Sequence, residues 1–211
     1  WLWGNNALAQ EIPTEIIQGK IAPPNEQFET QVVGKVADGR PIYRAEIYAS
    51  PTRYQDAETG LARAIDVSLV ERGNDWVMTK AAYGARLTKE AGDKTITFRN
   101  GGTELYFSPL ASNTAKISGL KLGAGETESV RYPDALGTGV NLEVRLDTNA
   151  LYKEAVLKDP SALESLNKAG DYAEVPFLLQ SNDKINLLEK GAEMEVRAGE
   201  KTVAYFWPPR A

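Results

Sequence analysis

The chain has 211 residues, with 24 basic and 29 acidic side chains, a formal net charge of −5, and neither histidine nor cysteine. Those two zeros exclude disulfides, thiol nucleophiles, Cys/His zinc sites, thiolate iron–sulfur clusters, the usual Ser-His-Asp triad and a histidine pH switch. At 42% hydrophobic and 25% charged, the composition is that of a folded globular chain, long enough to bury roughly 70% of its unfolded surface without staples.

Residues 1–10, Trp1 to Gln10, read as a leader remnant. Ala7-Leu8-Ala9 places small residues at the −3 and −1 positions of a signal-peptidase site, with Glu11 just beyond. No run of about 18 apolar residues occurs, so no membrane span is predicted. Two β lobes are expected, 11–110 and 111–211, meeting between Leu110 and Thr127 or merging into one continuous domain.

Period-two alternation dominates from there on. Ile65, Val67 and Leu69 share a face, and Val140-Asn141-Leu142-Glu143-Val144-Arg145-Leu146 alternates four apolar with three polar side chains. Similar runs occur at Tyr43 to Ile47, Ile96 to Phe98, Leu105 to Phe107, Ile185 to Leu187, Met194 to Val196 and Val203 to Trp207. This pattern predicts half-buried antiparallel strands. Turn signals separate them at Asp38-Gly39, Thr59-Gly60, Gly73-Asn74, Gly92-Asp93, Asn100-Gly101-Gly102, Gly123-Ala124-Gly125, Lys190-Gly191 and Gly199-Glu200. Asn100-Gly101-Gly102 is the strongest hairpin signal. One short helix is predicted over 161–169, from Ser161 and Glu164 in capping-box spacing to a stop at Gly170. The fold class is therefore all-β, mostly antiparallel and sandwich-like.

Without histidine or cysteine, catalysis would fall to carboxylates. Asp66, Glu143, Glu193 and Glu195 occupy polar registers of alternating strands, where solvated sheet faces are expected. A carboxylate-dependent glycan hydrolase would need two acids across a groove, ~5–9.5 Å apart. No Asp-x-Asp-x-Asp-Gly calcium loop is present, and Gly137-Thr138-Gly139 leads into a strand where a phosphate loop needs a helix. No catalytic, cofactor-binding or metal-ligating residues are predicted, and no cofactor. Neither half has the basic excess that nucleic-acid binding requires.

Aromatic side chains offer a different chemistry. Among Tyr48, Tyr54, Trp76, Tyr83, Tyr106, Tyr132, Tyr152 and Tyr172, the set Tyr48, Tyr54, Trp76 and Tyr106 is the candidate for a sugar-stacking platform, with core packing as the competing role. Lys153 stands out among the charges. It shares the apolar register of Leu151, Ala155 and Leu157, so it is expected to snorkel outward, to pair with a carboxylate, or to guard a sheet edge.

Two stretches resemble a known pattern. Asp38-Gly39-Arg40-Pro41-Ile42-Tyr43 to Pro51-Thr52-Arg53-Tyr54-Gln55-Asp56, continuing through Gly60 to Ile65-Asp66-Val67, is one. Val130-Arg131-Tyr132-Pro133-Asp134 to Gly139-Val140-Asn141-Leu142, continuing through Leu151 to Lys158, is the other. Both resemble the N-terminal β-rich region of large secreted or cell-surface bacterial proteins of the RHS/YD-repeat and wall-associated type, as does the closing Tyr205-Phe206-Trp207-Pro208-Pro209. Three positions depart from the pattern: Asn141 replaces the aspartate of "gvDl", Arg53 the histidine of "PvhY", and Leu61 or Ala62 a tryptophan.

The resemblance implies a non-catalytic structural or scaffold domain, extracytoplasmic. Its partners would be downstream domains of the same longer polypeptide, with cell-envelope glycans as a further partner class. A carbohydrate-binding β-sandwich module is the alternative expectation.

Overall fold

A computed structural model of the chain describes residues 28–35, 41–47, 52–56, 59–110, 117–123, 128–169 and 172–207. The expected leader remnant, the Asp38-Gly39 turn, Tyr48 and the Gly170 helix stop lie outside these residues. The chain divides into two compact units, Trp1–Arg63 and Ala64–Ala211.

In the first unit, β1 (Phe28–Lys35) and β2 (Pro41–Ile47) form an antiparallel ribbon with a register shift between Val32 and Gly34. A second ribbon joins β3 (Arg53–Gln55) to β4 (Ala62–Ala64). Asp56 organises the turn between them: its carboxylate accepts the Thr59 N–H at 2.9 Å and holds the Arg63 Nε at 2.9 Å.

The second unit carries the main core. In chain order its strands are β5 (Val70–Arg72), β6 (Asp75–Met78), β7 (Gly84–Thr88), β8 (Glu90–Ala91), β9 (Ile96–Asn100) and β10 (Thr103–Pro109). They continue as β11 (Ile117–Ser118), β12 (Leu120–Leu122), β13 (Ser129–Gly137), β14 (Val140–Leu146), β15 (Leu151–Leu157), β16 (Asn167–Ala169), β17 (Tyr172–Glu174) and β18 (Phe177–Ser181). The last three are β19 (Ile185–Lys190), β20 (Glu193–Ala198) and β21 (Lys201–Phe206). A six-stranded sheet runs β18-β10-β9-β7-β6-β5, a four-stranded sheet β12-β13-β14-β15 and a three-stranded sheet β19-β20-β21. Their named pairings are antiparallel. The all-β, sandwich-like layering expected from alternation is what the strands build.

One apolar cluster unites the three sheets. Trp76, Leu87, Ile96 and Leu105 come from the first, Val130, Tyr132, Leu142 and Val144 from the second, and Val196 and Val203 from the third. Alternation places them there: β7 buries Ala85 and Leu87, while β14 buries Val140, Leu142, Val144 and Leu146. Each large side chain so buried contributes about 1.5–3 kcal/mol. The Asn100-Gly101-Gly102 hairpin joins β9 to β10 as expected, with Gly101 at φ +60°, where a side chain is strained. Gly119 answers a different need, since a Cβ there would stand 2.8 Å from the Tyr132 ring.

β18 pairs with β10 across the segment between Leu110 and Thr127, and the core draws on residues from both sides of it. The helix expected over 161–169 is a 3-10 turn, Pro160–Ser165, capped by Asp159, whose carboxylate accepts the Ser161 N–H. Leu166 then returns to extended backbone and β16 begins at Asn167. β13 runs on to Gly137 through an irregular stretch in which Asp134 adopts φ +57°, its N–H held by Asn141 Oδ1 at 3.0 Å.

Candidate functional site

The register of β15 delivers a lysine into an apolar junction. β15 is an end strand of its sheet, and Lys153 lies opposite the fully buried Val144, on the core-facing side. Its Nζ stands 3.9 Å from the ring centroid of Phe107 on β10, 4.8 Å from Phe177 on β18 and 5.6 Å from Phe206 on β21. Phe107 and Phe206 meet edge to face at 5.8 Å. One ammonium thus touches aromatic rings from two other sheets. The residue stays exposed along the strand edge while its charged end is crowded by phenyl rings.

Two forces oppose each other at this amine. Burial lowers its pKa from 10.5 to about 8. The negative ring faces favour the charged form. Among the described residues no carboxylate pairs with Lys153, and its ammonium lies over phenyl rings. Its place on an edge strand is as expected. A desolvated amine is a competent nucleophile, but its described ring contacts supply no acid or base.

The carboxylates are committed to neighbouring donors. Glu195 is 1% exposed, so it is not on a solvated face as expected. Its Oε1 accepts from Arg197 Nε at 2.9 Å and from the Thr202 hydroxyl, and its Oε2 lies 3.0 Å from Lys190 Nζ without a directed hydrogen bond. Hydrogen bonds from Arg197 and Thr202, with the Lys190 ammonium close to Oε2, lower its pKa to about 2. Asp66 is lowered to about 2 by hydrogen bonds from Ser68 and Lys80. Glu143 holds Arg131 at 2.7 Å and accepts from Ser129 at 2.9 Å. Glu128, buried, receives the Leu69 N–H and Lys121. Glu193 is exposed. Among the described residues no group of three or more His, Cys, Asp or Glu side chains could hold a metal ion.

The aromatic candidates do not converge on one exposed face. Trp76, at 8% exposure, belongs to the core cluster, and Tyr54 is 7% exposed in the other unit. Both rings do the packing that strands ask of aromatics. Tyr106 is half-buried; its hydroxyl donates to Glu104 at 2.7 Å and Lys94 lies 4.5 Å over its ring. Tyr48 lies outside the described residues. Tyr83 and Tyr132 are buried, their hydroxyls donating to backbone carbonyls of Asp147, Ala150 and Thr88. Desolvation raises both phenol pKa values.

Sequence reasoning missed Phe107, Phe177 and Phe206, because their convergence depends on β10, β18 and β21 meeting in space. It also missed Tyr205 and Trp207. Simple alternation groups them with Val203, but β21 shifts register against β20 between Val196 and Arg197. That irregularity leaves Val203 buried and Tyr205 and Trp207 exposed. No helix among the described residues is long and apolar enough to cross a membrane. No protein-family model, curated protein or solved structure matches the chain.

Proposed function

We propose that this chain is a non-catalytic structural domain of a larger exported bacterial surface protein of the RHS/YD-repeat type. The observation that carries the reading is the use made of Lys153. A lysine in the inward register of an end strand is a known way to keep that strand from pairing with another chain. Among the described residues its ammonium meets phenyl rings of β10, β18 and β21, a setting that suits a role in the sheet. The Arg131–Glu143 ion pair likewise joins β13 to β14, and Lys121 of β12 reaches Glu128 just before β13. An edge that resists association suits an exported scaffold.

Immunoblotting of fractionated cells with antiserum raised against the chain tests this. A surface-accessible band far larger than 23.1 kDa is expected. A cytoplasmic band at 23.1 kDa would contradict it.

A further inference from the structure

We infer that the outer face of the β19-β20-β21 sheet is a binding site for a neutral glycan, with Tyr205 and Trp207 as its stacking platform. The face follows from register. Opposed residues of an antiparallel pair share a side, so Leu188, Glu195 and Tyr205 form one row and Asn186, Arg197 and Thr202 the next. Tyr205 lies within β21, opposite Glu195, and Trp207 follows just beyond the last residue of the strand. They are 46% and 50% exposed. The opposite face is spent on the core, through Val196 and Phe206.

The groups beside the rings determine the occupant. Lys190 and Arg197 are balanced by Glu193 and Glu195, which share their face, so the site carries no net charge to attract an ion. Arg197 engages Glu195 through Nε and keeps its other N–H donors, and Asn186 is exposed with both amide functions. Sugar rings present a C–H face to stack on an aromatic and a rim of hydroxyls that take donors and acceptors alike. A protein partner would instead want continuous apolar surface, whereas here the apolar groups alternate with polar ones. The proposal is independent of the structural reading above: a scaffold domain can carry this site or lack it.

Affinity electrophoresis of the full chain through gels holding hydroxyethyl cellulose, laminarin, arabinoxylan, galactomannan or dextran is the test, with dextran sulfate as the charged arm. Retardation by at least one neutral polysaccharide is expected, insensitive to high salt and weakened about tenfold or more by Tyr205→Ala with Trp207→Ala. Both rings face solvent, so the double variant should melt with the wild type; should it not fold, Tyr205→Ala alone replaces it. Retardation by none of the neutral polymers, by dextran sulfate alone, or equally in the variant would overturn the proposal. So would self-association of the wild type that the variant abolishes, since the strip would then be an interface between copies.

Discussion

The Lys153 ammonium stands 3.9 Å from the centre of the Phe107 ring, a cation on the end strand of one sheet facing an aromatic of another. The ring faces favour the charged form, while burial opposes it and lowers the pKa to about 8. The folded state therefore holds this proton less tightly than the unfolded chain does. Below pH 8 both states are protonated and the charge is carried at a cost. Between pH 8 and 10.5 the folded amine becomes neutral first, so stability rises with pH across that window. Urea unfolding of wild type and Lys153→Met from pH 7 to 10.5 should show this rise only in the wild type, with the variant at least as stable at pH 7.

Acid acts in the opposite sense. Glu195 and Asp66 have folded pKa values of about 2, below their ordinary 4.5 and 3.8. Their contribution is complete above those ordinary values and is lost as pH falls toward 2. Glu195→Gln should flatten the acid limb of a thermal-midpoint profile between pH 4.5 and 2. It should also lower stability at pH 7, because Arg197 and Lys190 lose their counter-charge.

Gly119 tests the packing between sheets. A Cβ at this position would lie 2.8 Å from the Tyr132 ring and 3.0 Å from both Trp76 and Val130. Gly119→Ala should cost about 1–3 kcal/mol, measured by denaturant titration, because those rings are themselves buried.

Tyr83 closes a long loop by donating to the Asp147 carbonyl at 2.7 Å, with the Ala150 carbonyl at 2.6 Å. Tyr83→Phe keeps the stack on Phe98 at 5.1 Å and leaves these carbonyls short of a donor. A loss of about 1–2 kcal/mol in equilibrium unfolding is expected.

Local pattern carried much of this fold. The alternation in Val140–Leu146 and the turn at Asn100-Gly101-Gly102 depend on neighbouring residues alone, and both appear where they were expected. What escaped was non-local. β18 adds to β10 from about 70 residues away, a pairing that no local pattern announces. Lys153 was conspicuous by register, yet its three ring partners come from strands far apart in sequence. One irregularity opposite Arg197 was enough to turn Tyr205 outward, and a period-two count has no means of registering it. Glu195 escaped similarly: its polar register is real, but the side chains of its neighbours cover it.

Sedimentation velocity of wild type and Lys153→Leu at neutral pH, over a range of concentrations, asks most directly whether Lys153 serves the sheet edge. The variant should fold with at least the wild-type thermal midpoint and yet associate at concentrations where the wild type sediments as a monomer. A variant that unfolds, or one that stays as monomeric as the wild type at every concentration, would contradict that role.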